Sequence, residues 1–154
     1  MKPREELTMT GYQALAEFRY QIRRFLHFSE QSAREAGLEP QQHQLLLALK
    51  GLPAGRKATI GELAERLQIQ HHSTVELIDR MVERGLIQRS RDDEDQRRVF
   101  VRLTPQGEEV LRKLSLLHHT ELQMTGPTLV QALNRLIDAE NESNKIIRDI
   151  TDES

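Results

Sequence analysis

The chain has 154 residues, a formal net charge of −2, 30% charged and 37% apolar residues, and neither Trp nor Cys. That is enough chain for one ordinary domain with a real core, and the near-neutral balance excludes a generic polyanion binder. The lack of Cys excludes disulfides, thiol redox sensing and Cys-built zinc sites. No apolar run approaches the ~20 residues of a membrane span, and Met1 to Glu6 leads into no apolar core, so the expected location is cytoplasmic.

Residues 1–8 are polar, contain Pro3 and read as a loose end. From Thr10 to about Ala36 the pattern is helical, with Tyr12, Leu15, Phe18, Ile22, Phe25, Leu26, Ser29 and Ala33 on one face. Gly37 stops that helix, and Pro40 opens the next. Gln41 to about Gly51 carries Leu45, Leu46, Leu47 and Leu49, and is expected to be buried on most sides. A loop with Pro53 and Gly55 follows, basic at its end through Arg56 and Lys57.

Thr59 is placed to cap a short helix to about Leu67, with Glu62 completing a capping box. Gln68 to Gln70 is short enough for a tight turn. A second helix follows, from His71 or His72 to about Arg84. In it Thr74, Leu77, Ile78 and Met81 repeat at i, i+3, i+4, i+7, and Val75 and Val82 widen the stripe. Gly85 sits where a helix ends through a left-handed residue. Two helices joined in this way form a helix-turn-helix. Leu86 to Arg91 and Val99 to Leu103 then alternate as short strands. Between them Asp92-Asp93-Glu94-Asp95-Gln96-Arg97-Arg98 forms a charged hairpin tip, too long for a two-residue turn. Helix, turn, helix and basic hairpin make a winged helix.

Thr104-Pro105 is an N-cap followed by proline at the first helical position. Val110, Leu111, Leu114, Leu117, Glu121 and Leu122 mark the helix that follows. Gly126-Pro127 is expected to interrupt it. Leu129, Ala132, Leu133, Leu136, Ile137, Glu140, Asn144 and Ile147 mark a final helix, and Thr151 to Ser154 is expected to fray. The fold class is thus mainly α with a small β wing: a winged helix-turn-helix over 40–104, flanked by helices over 10–36 and 105–150, in one domain spanning 1–154.

Several strings in this segment resemble the MarR family of bacterial transcription regulators. They are Leu63-Ala64, Glu76-Leu77-Ile78-Asp79-Arg80-Met81, Arg84-Gly85-Leu86-Ile87-Gln88-Arg89, Asp95-Gln96-Arg97 and Leu103-Thr104-Pro105-Gln106-Gly107. The Asp-x-Arg of the wing and the Leu-Thr-x-x-Gly behind it are the most distinctive. The resemblance runs residue by residue from about Leu45 to Leu114. It implies that the flanking helices interlock with those of a second subunit. Two-fold symmetry would independently give a helix-turn-helix protein affinity and half-site readout; the alternative is that the two helices pack only on each other. The resemblance also implies a small-molecule effector, often aromatic or anionic. His27, Gln31 and His43 stand near where a cleft for it would lie. The family's cysteine-based peroxide sensors are excluded by the absence of Cys.

Residues 56–104 hold ten basic and nine acidic side chains. DNA affinity through phosphate neutralisation therefore requires that cations be placed, not merely present. By resemblance, Arg97 is the arginine that enters the minor groove, whose narrow form concentrates negative potential. Asp95, two residues earlier, is expected on the same side of the strand as its brace. Arg98 stands where the family often has glycine and is expected to add a phosphate contact; the competing reading is a solvated tip whose charges pair among themselves. Gln70, His71, His72 and Ser73 open the recognition helix and are expected at base edges. Glu76 departs from relatives that carry arginine. It either accepts from cytosine or pairs with Arg80 at i+4, and Arg80 itself is either a DNA contact or structural. Arg56 and Lys57 occupy a phosphate position in the loop.

The six histidines include two adjacent pairs, His71-His72 and His118-His119, which diverge by about 100° on a helix and offer no two ligands from one face. No metal and no cofactor is expected. No phosphate-binding glycine loop or nucleophile motif points to an enzyme. The resulting reading is a homodimeric, sequence-specific DNA-binding regulator on an inverted-repeat operator, a repressor released by an effector. The alternatives are a winged helix used for protein contact without DNA, and a metal-responsive regulator.

Overall fold

A computed structural model describes residues 7–95 and 97–152, without the side chains of 139–147 and 150–152. Gln96 in the wing, residues 1–6, and the side chains of Glu140, Asn144 and Ile147 therefore lie outside the described residues, as do residues 153–154 at the expected frayed end. The order of elements is α1 (Met9–Glu35), α2 (Pro40–Lys50), α3 (Ile60–Leu67), α4 (His71–Glu83), β1 (Ile87–Arg91), β2 (Val99–Leu103) and α5 (Pro105–Asp152). They fall into two compact units, residues 29–118 and residues 1–28 with 119–154.

The first unit is the winged helix. Its core joins Leu45, Leu46 and Leu49 of α2, Leu63 of α3, Leu77, Ile78 and Met81 of α4, Ile87 and Val101 of the hairpin, and Leu111 and Leu114 of α5. Each buried aliphatic side chain contributes about 1.5–3 kcal/mol relative to exposure. Leu47 corrects the expectation for α2: it is 45% exposed. Leu45, Leu46 and Leu49 sit at i, i+1 and i+4 on one helical face, and Leu47 projects from the opposite one.

The cap of α3 forms as expected on one side only. Thr59 Oγ1 accepts from the Glu62 N–H at 3.2 Å. The return half of a capping box is absent, because the Thr59 N–H already donates to the Lys57 carbonyl at 2.8 Å. The Glu62 carboxylate turns to arginines instead. At the other end of α3, Gln68 takes a left-handed conformation, φ 54°. Its own side-chain amide donates to the Glu65 carbonyl at 2.8 Å, satisfying an orphan acceptor of the helix end. Gly85, at φ 72°, performs the corresponding turn after α4.

β1 and β2 pair antiparallel with Ile87 opposite Leu103 and Arg91 opposite Val99. The loop before α3 adds a third edge, since the Val101 N–H donates to Ala58 O at 3.0 Å and Thr59 bridges to Phe100.

Helix α5 overturns the expected interruption: it is continuous through Pro127. Proline deletes one i→i−4 bond and strains one turn, and long helix-forming segments on both sides carry the helix past that local defect. In the second unit, Ala14 and Gln21 of α1 and Ala132 of α5 are buried. Tyr12, Leu15, Leu133 and Ile137 stay 58%, 46%, 41% and 49% exposed.

Candidate nucleic-acid interface

Helix α4 presents its first turn to solvent. Gln70 is the N-cap, and its carbonyl takes both the Thr74 N–H and the Thr74 hydroxyl at 3.0 Å. Buried Thr74 thus fixes the start of the helix from beneath. His71, His72, Glu76 and Arg80 are exposed, and Ser73 is half-buried. No carboxylate stands in the first turn, so its free N–H groups and partial positive charge face solvent unopposed. Glu76 and Arg80 form no ion pair with each other among the described residues. The acidic residue of this helix that does pair is Asp79, which binds Arg89 and ties α4 to β1. At the far end Arg84 donates to Gln42 Oε1 of α2 at 3.0 Å, and the same oxygen accepts from the Glu39 N–H.

The wing tip is organised by its acids. Asp92 Oδ1 accepts from the Glu94 N–H, and Asp95 Oδ1 accepts from the Arg97 N–H, both at 3.1 Å. Backbone bonds from Asp92 N to Arg98 O and from Arg98 N to Asp95 O close the turn. The expected brace differs in kind: Asp95 holds the backbone of Arg97, and its carboxylate lies 4.0 Å from the Arg98 guanidinium. Strand alternation, which would have set Asp95 beside the Arg97 side chain, does not apply in a turn, where an aspartate bonds its own backbone two residues on. Arg97 and Arg98 are exposed, and the Arg97 guanidinium makes no ion pair among the described residues. Arg56 and Lys57 are exposed in the pinned loop. The Arg56 guanidinium lies 3.8 Å from Glu62, and the Lys57 ammonium sits 5.6 Å over the Phe100 ring. These two contacts, with Asp79–Arg89 and Arg84–Gln42, join residues at separations that no local spacing rule pairs.

Residues 36–98 match the family model described as MarR family. Over that stretch the winged helix is similar to the MarR family. The HTH-type transcriptional regulator YsmB of Bacillus subtilis (strain 168), itself uncharacterized, is 38% identical over 56 residues, 36% of this chain. That match spans only 38% of the relative's own length. The MarR family transcriptional regulator AbsC from Streptomyces coelicolor has the same fold, with a TM-score of 0.70 at 23% identity over 94% of this chain and 99% of that one. A mutant of MepR from S. aureus, solved bound to an oligodeoxyribonucleotide, superposes with a TM-score of 0.61 at 21% identity over 94% and 99% of the two chains. The string Leu103-Thr104-Pro105-Gln106-Gly107 has a physical basis in this structure. Thr104 Oγ1 donates to Gly85 O at 2.6 Å and accepts from the Gly107 N–H at 3.0 Å, and the Thr104 N–H donates to Leu86 O at 3.1 Å. One buried threonine therefore locks the end of α4, the start of the wing and the start of α5.

The three residues expected near an effector have the following surroundings. His27 is exposed on α1, and Gln31 donates its amide to Glu35. His43 is 2% exposed and meets His118, with ring centroids 5.0 Å apart. No helix among the described residues is long and apolar enough to cross a membrane, and no three His, Cys, Asp or Glu among them gather to hold a metal ion.

His118 bridges the Leu114 carbonyl at 2.7 Å and Ser29 Oγ at 2.9 Å. A carbonyl only accepts, so Nδ1 carries a proton, and Nε2 shares a hydrogen bond with the serine hydroxyl. His43 Nδ1 is buried without a hydrogen-bond partner among the described residues. Burial, and secondarily the nearby His118, lowers the His43 pKa from 6.5 to about 4. Between those values the unfolded chain binds a proton that the folded chain refuses. Stability therefore falls as pH drops through this window and levels off below it, with a total loss of about 3 kcal/mol. Urea unfolding at neutral pH and near the acid end should show that loss in the wild type and little of it in His43→Leu. Parallel pH slopes for the two proteins would refute the assignment.

Proposed function

We propose that this chain is a sequence-specific DNA-binding transcription regulator of the MarR type. In this reading it acts as a homodimeric repressor on an inverted-repeat operator and is released by a small-molecule effector, in the cytoplasm. The observation that carries the reading is the exposed first turn of α4 together with the exposed guanidinium of Arg97 on a wing tip stiffened by Asp92 and Asp95. Gln70, His71, His72 and Ser73 then read base edges, with Glu76 at the groove edge beside Arg80. Arg97 enters the minor groove. Arg98, Arg56 and Lys57 meet phosphates. The oligonucleotide-bound MepR mutant of the same fold supports this use of the winged helix.

Arg97→Ala should weaken operator binding by at least about 1 kcal/mol and leave the melting temperature unchanged, because the side chain is exposed. Anisotropy titrations over a range of salt, on operator fragments recovered by footprinting bound genomic sites, provide the measurement. An affinity equal to wild type at physiological salt would remove Arg97 from the interface. Wild-type protein showing no steep salt dependence would favour a winged helix that contacts protein.

A further inference from the structure

Ion pairs and ring contacts around α3 gather cations that the recognition helix and the wing tip do not account for. Glu62 is the centre. Its carboxylate is largely shielded, with 18% of the side chain exposed, and lies 3.8 Å from the Arg56 guanidinium and 3.3 Å from Nε of Arg66. The two arginine side chains remain 63% and 42% exposed. Beside them Lys57 rests on the Phe100 ring. That ring is itself fixed by the bridge from Thr59 and by the neighbouring Val101–Ala58 backbone bond. Arg56 and Arg66 thus share one carboxylate while Lys57 rests on a ring, so each cation is aimed by a semi-buried partner. Arg66 lies four residues before the cap of the recognition helix, and Phe100 three residues after Arg97. The cluster therefore runs in the chain from the helix-turn-helix turn to the wing.

We infer that Arg56, Lys57 and Arg66 form a DNA-backbone phosphate seat, and that Glu62 and Phe100 are its positioning residues. The inference rests on the DNA-binding reading and adds to it Arg66 and the two residues that hold the cations in place. The ligand is the backbone phosphate of duplex DNA, so the seat adds affinity without sequence preference. Long flexible cations lose side-chain freedom when they bind phosphate. A carboxylate that holds two guanidiniums, and a ring face that holds an ammonium, reduce that loss beforehand.

This role makes the opposite prediction to simple charge. If Glu62 were only a negative charge near DNA, removing it would tighten binding. If it positions Arg56 and Arg66, removing it weakens binding although the protein becomes more basic. The helix start does not confound the test, since the Thr59 cap uses the backbone N–H of Glu62.

The experiment titrates a labelled random-sequence DNA duplex with the full-length protein at several salt concentrations, with thermal melts in parallel. Glu62→Ala should weaken binding about three- to tenfold, and Phe100→Leu by a similar factor. Phe100→Tyr, which keeps the ring face, should restore wild-type affinity. Arg66→Ala should also reduce the slope of log K against log salt by about one. Melting curves matching wild type separate positioning from unfolding, and a variant that melts early is read through its rescue partner, Glu62→Asp or Phe100→Tyr. Unchanged or tighter binding by Glu62→Ala, with wild type binding normally, overturns the seat alone. A wild-type protein that does not bind the duplex at low salt overturns the DNA-binding reading and the seat with it.

Discussion

In the proposed homodimer, Leu133→Asp combined with Ile137→Asp should separate the subunits and abolish operator binding, while the winged helix stays folded. These two side chains are 41% and 49% exposed, so a carboxylate at either position costs little within one chain. Leu136, half-buried beside them, is a poorer choice because its loss would damage the subunit itself. On α1, Tyr12 and Leu15 show the same mismatch between apolar character and exposure. Covering such side chains is worth up to about 1.5–3 kcal/mol each, which in sum rivals the stability of a whole small domain. In the proposed homodimer a second copy of the chain would supply that cover with two-fold symmetry. It would place two recognition helices roughly 34 Å apart, one turn of DNA. Sedimentation at micromolar concentration measures the first consequence and operator titration the second. A wild-type protein that sediments as a monomer, yet holds an inverted repeat tightly, would refute the dimer.

What could be read from the sequence follows the range of the interactions involved. The stripe Thr74, Leu77, Ile78 and Met81 repeats with the helical period, and all four side chains are buried in α4. Thr59, Gly85 and Thr104 declare their caps within three residues; Gly85 and Thr104 cap as expected, and Thr59 caps without the return half of the expected box. Local rules misled where a longer range decides. Gly126-Pro127 reads as a breaker, but α5 is held on both sides of it. Leu47 belongs to a leucine run, but only one face of α2 is covered. Asp95 was placed by strand alternation, and the chain there turns. Contacts between elements carried no sequence signal at all. His43 meets His118 from a different helix, and Lys57 reaches Phe100 only because the loop joins the hairpin as a third edge. The residues proposed to face DNA follow from the motif, whereas contacts such as Lys57 on the Phe100 ring do not.

Gly107→Ala should be among the most damaging single-methyl changes in the chain. A Cβ at position 107 would lie 2.1 Å from the Leu86 carbonyl oxygen and 3.1 Å from its carbonyl carbon. Both are backbone atoms, so no side-chain rotation relieves the overlap. The oxygen is already engaged, accepting from the Thr104 N–H at 3.1 Å. Pushing it aside breaks that bond and shifts Thr104, whose hydroxyl joins Gly85 to Gly107. Overpacking a tight site costs typically 1–3 kcal/mol, and each net hydrogen bond lost adds about 1 kcal/mol, so a loss of roughly 3 kcal/mol or more is expected. Thr104→Val keeps the shape and removes only the hydroxyl bonds, and should cost about 1–3 kcal/mol. Urea unfolding of the two variants should rank Gly107→Ala below Thr104→Val, with DNA binding lost in the first because the wing is rooted at Leu86 and Ile87. A destabilisation by Gly107→Ala of under about 1 kcal/mol would mean that the junction between wing and α5 yields freely, and that the glycine is there for some reason other than the approach of Leu86.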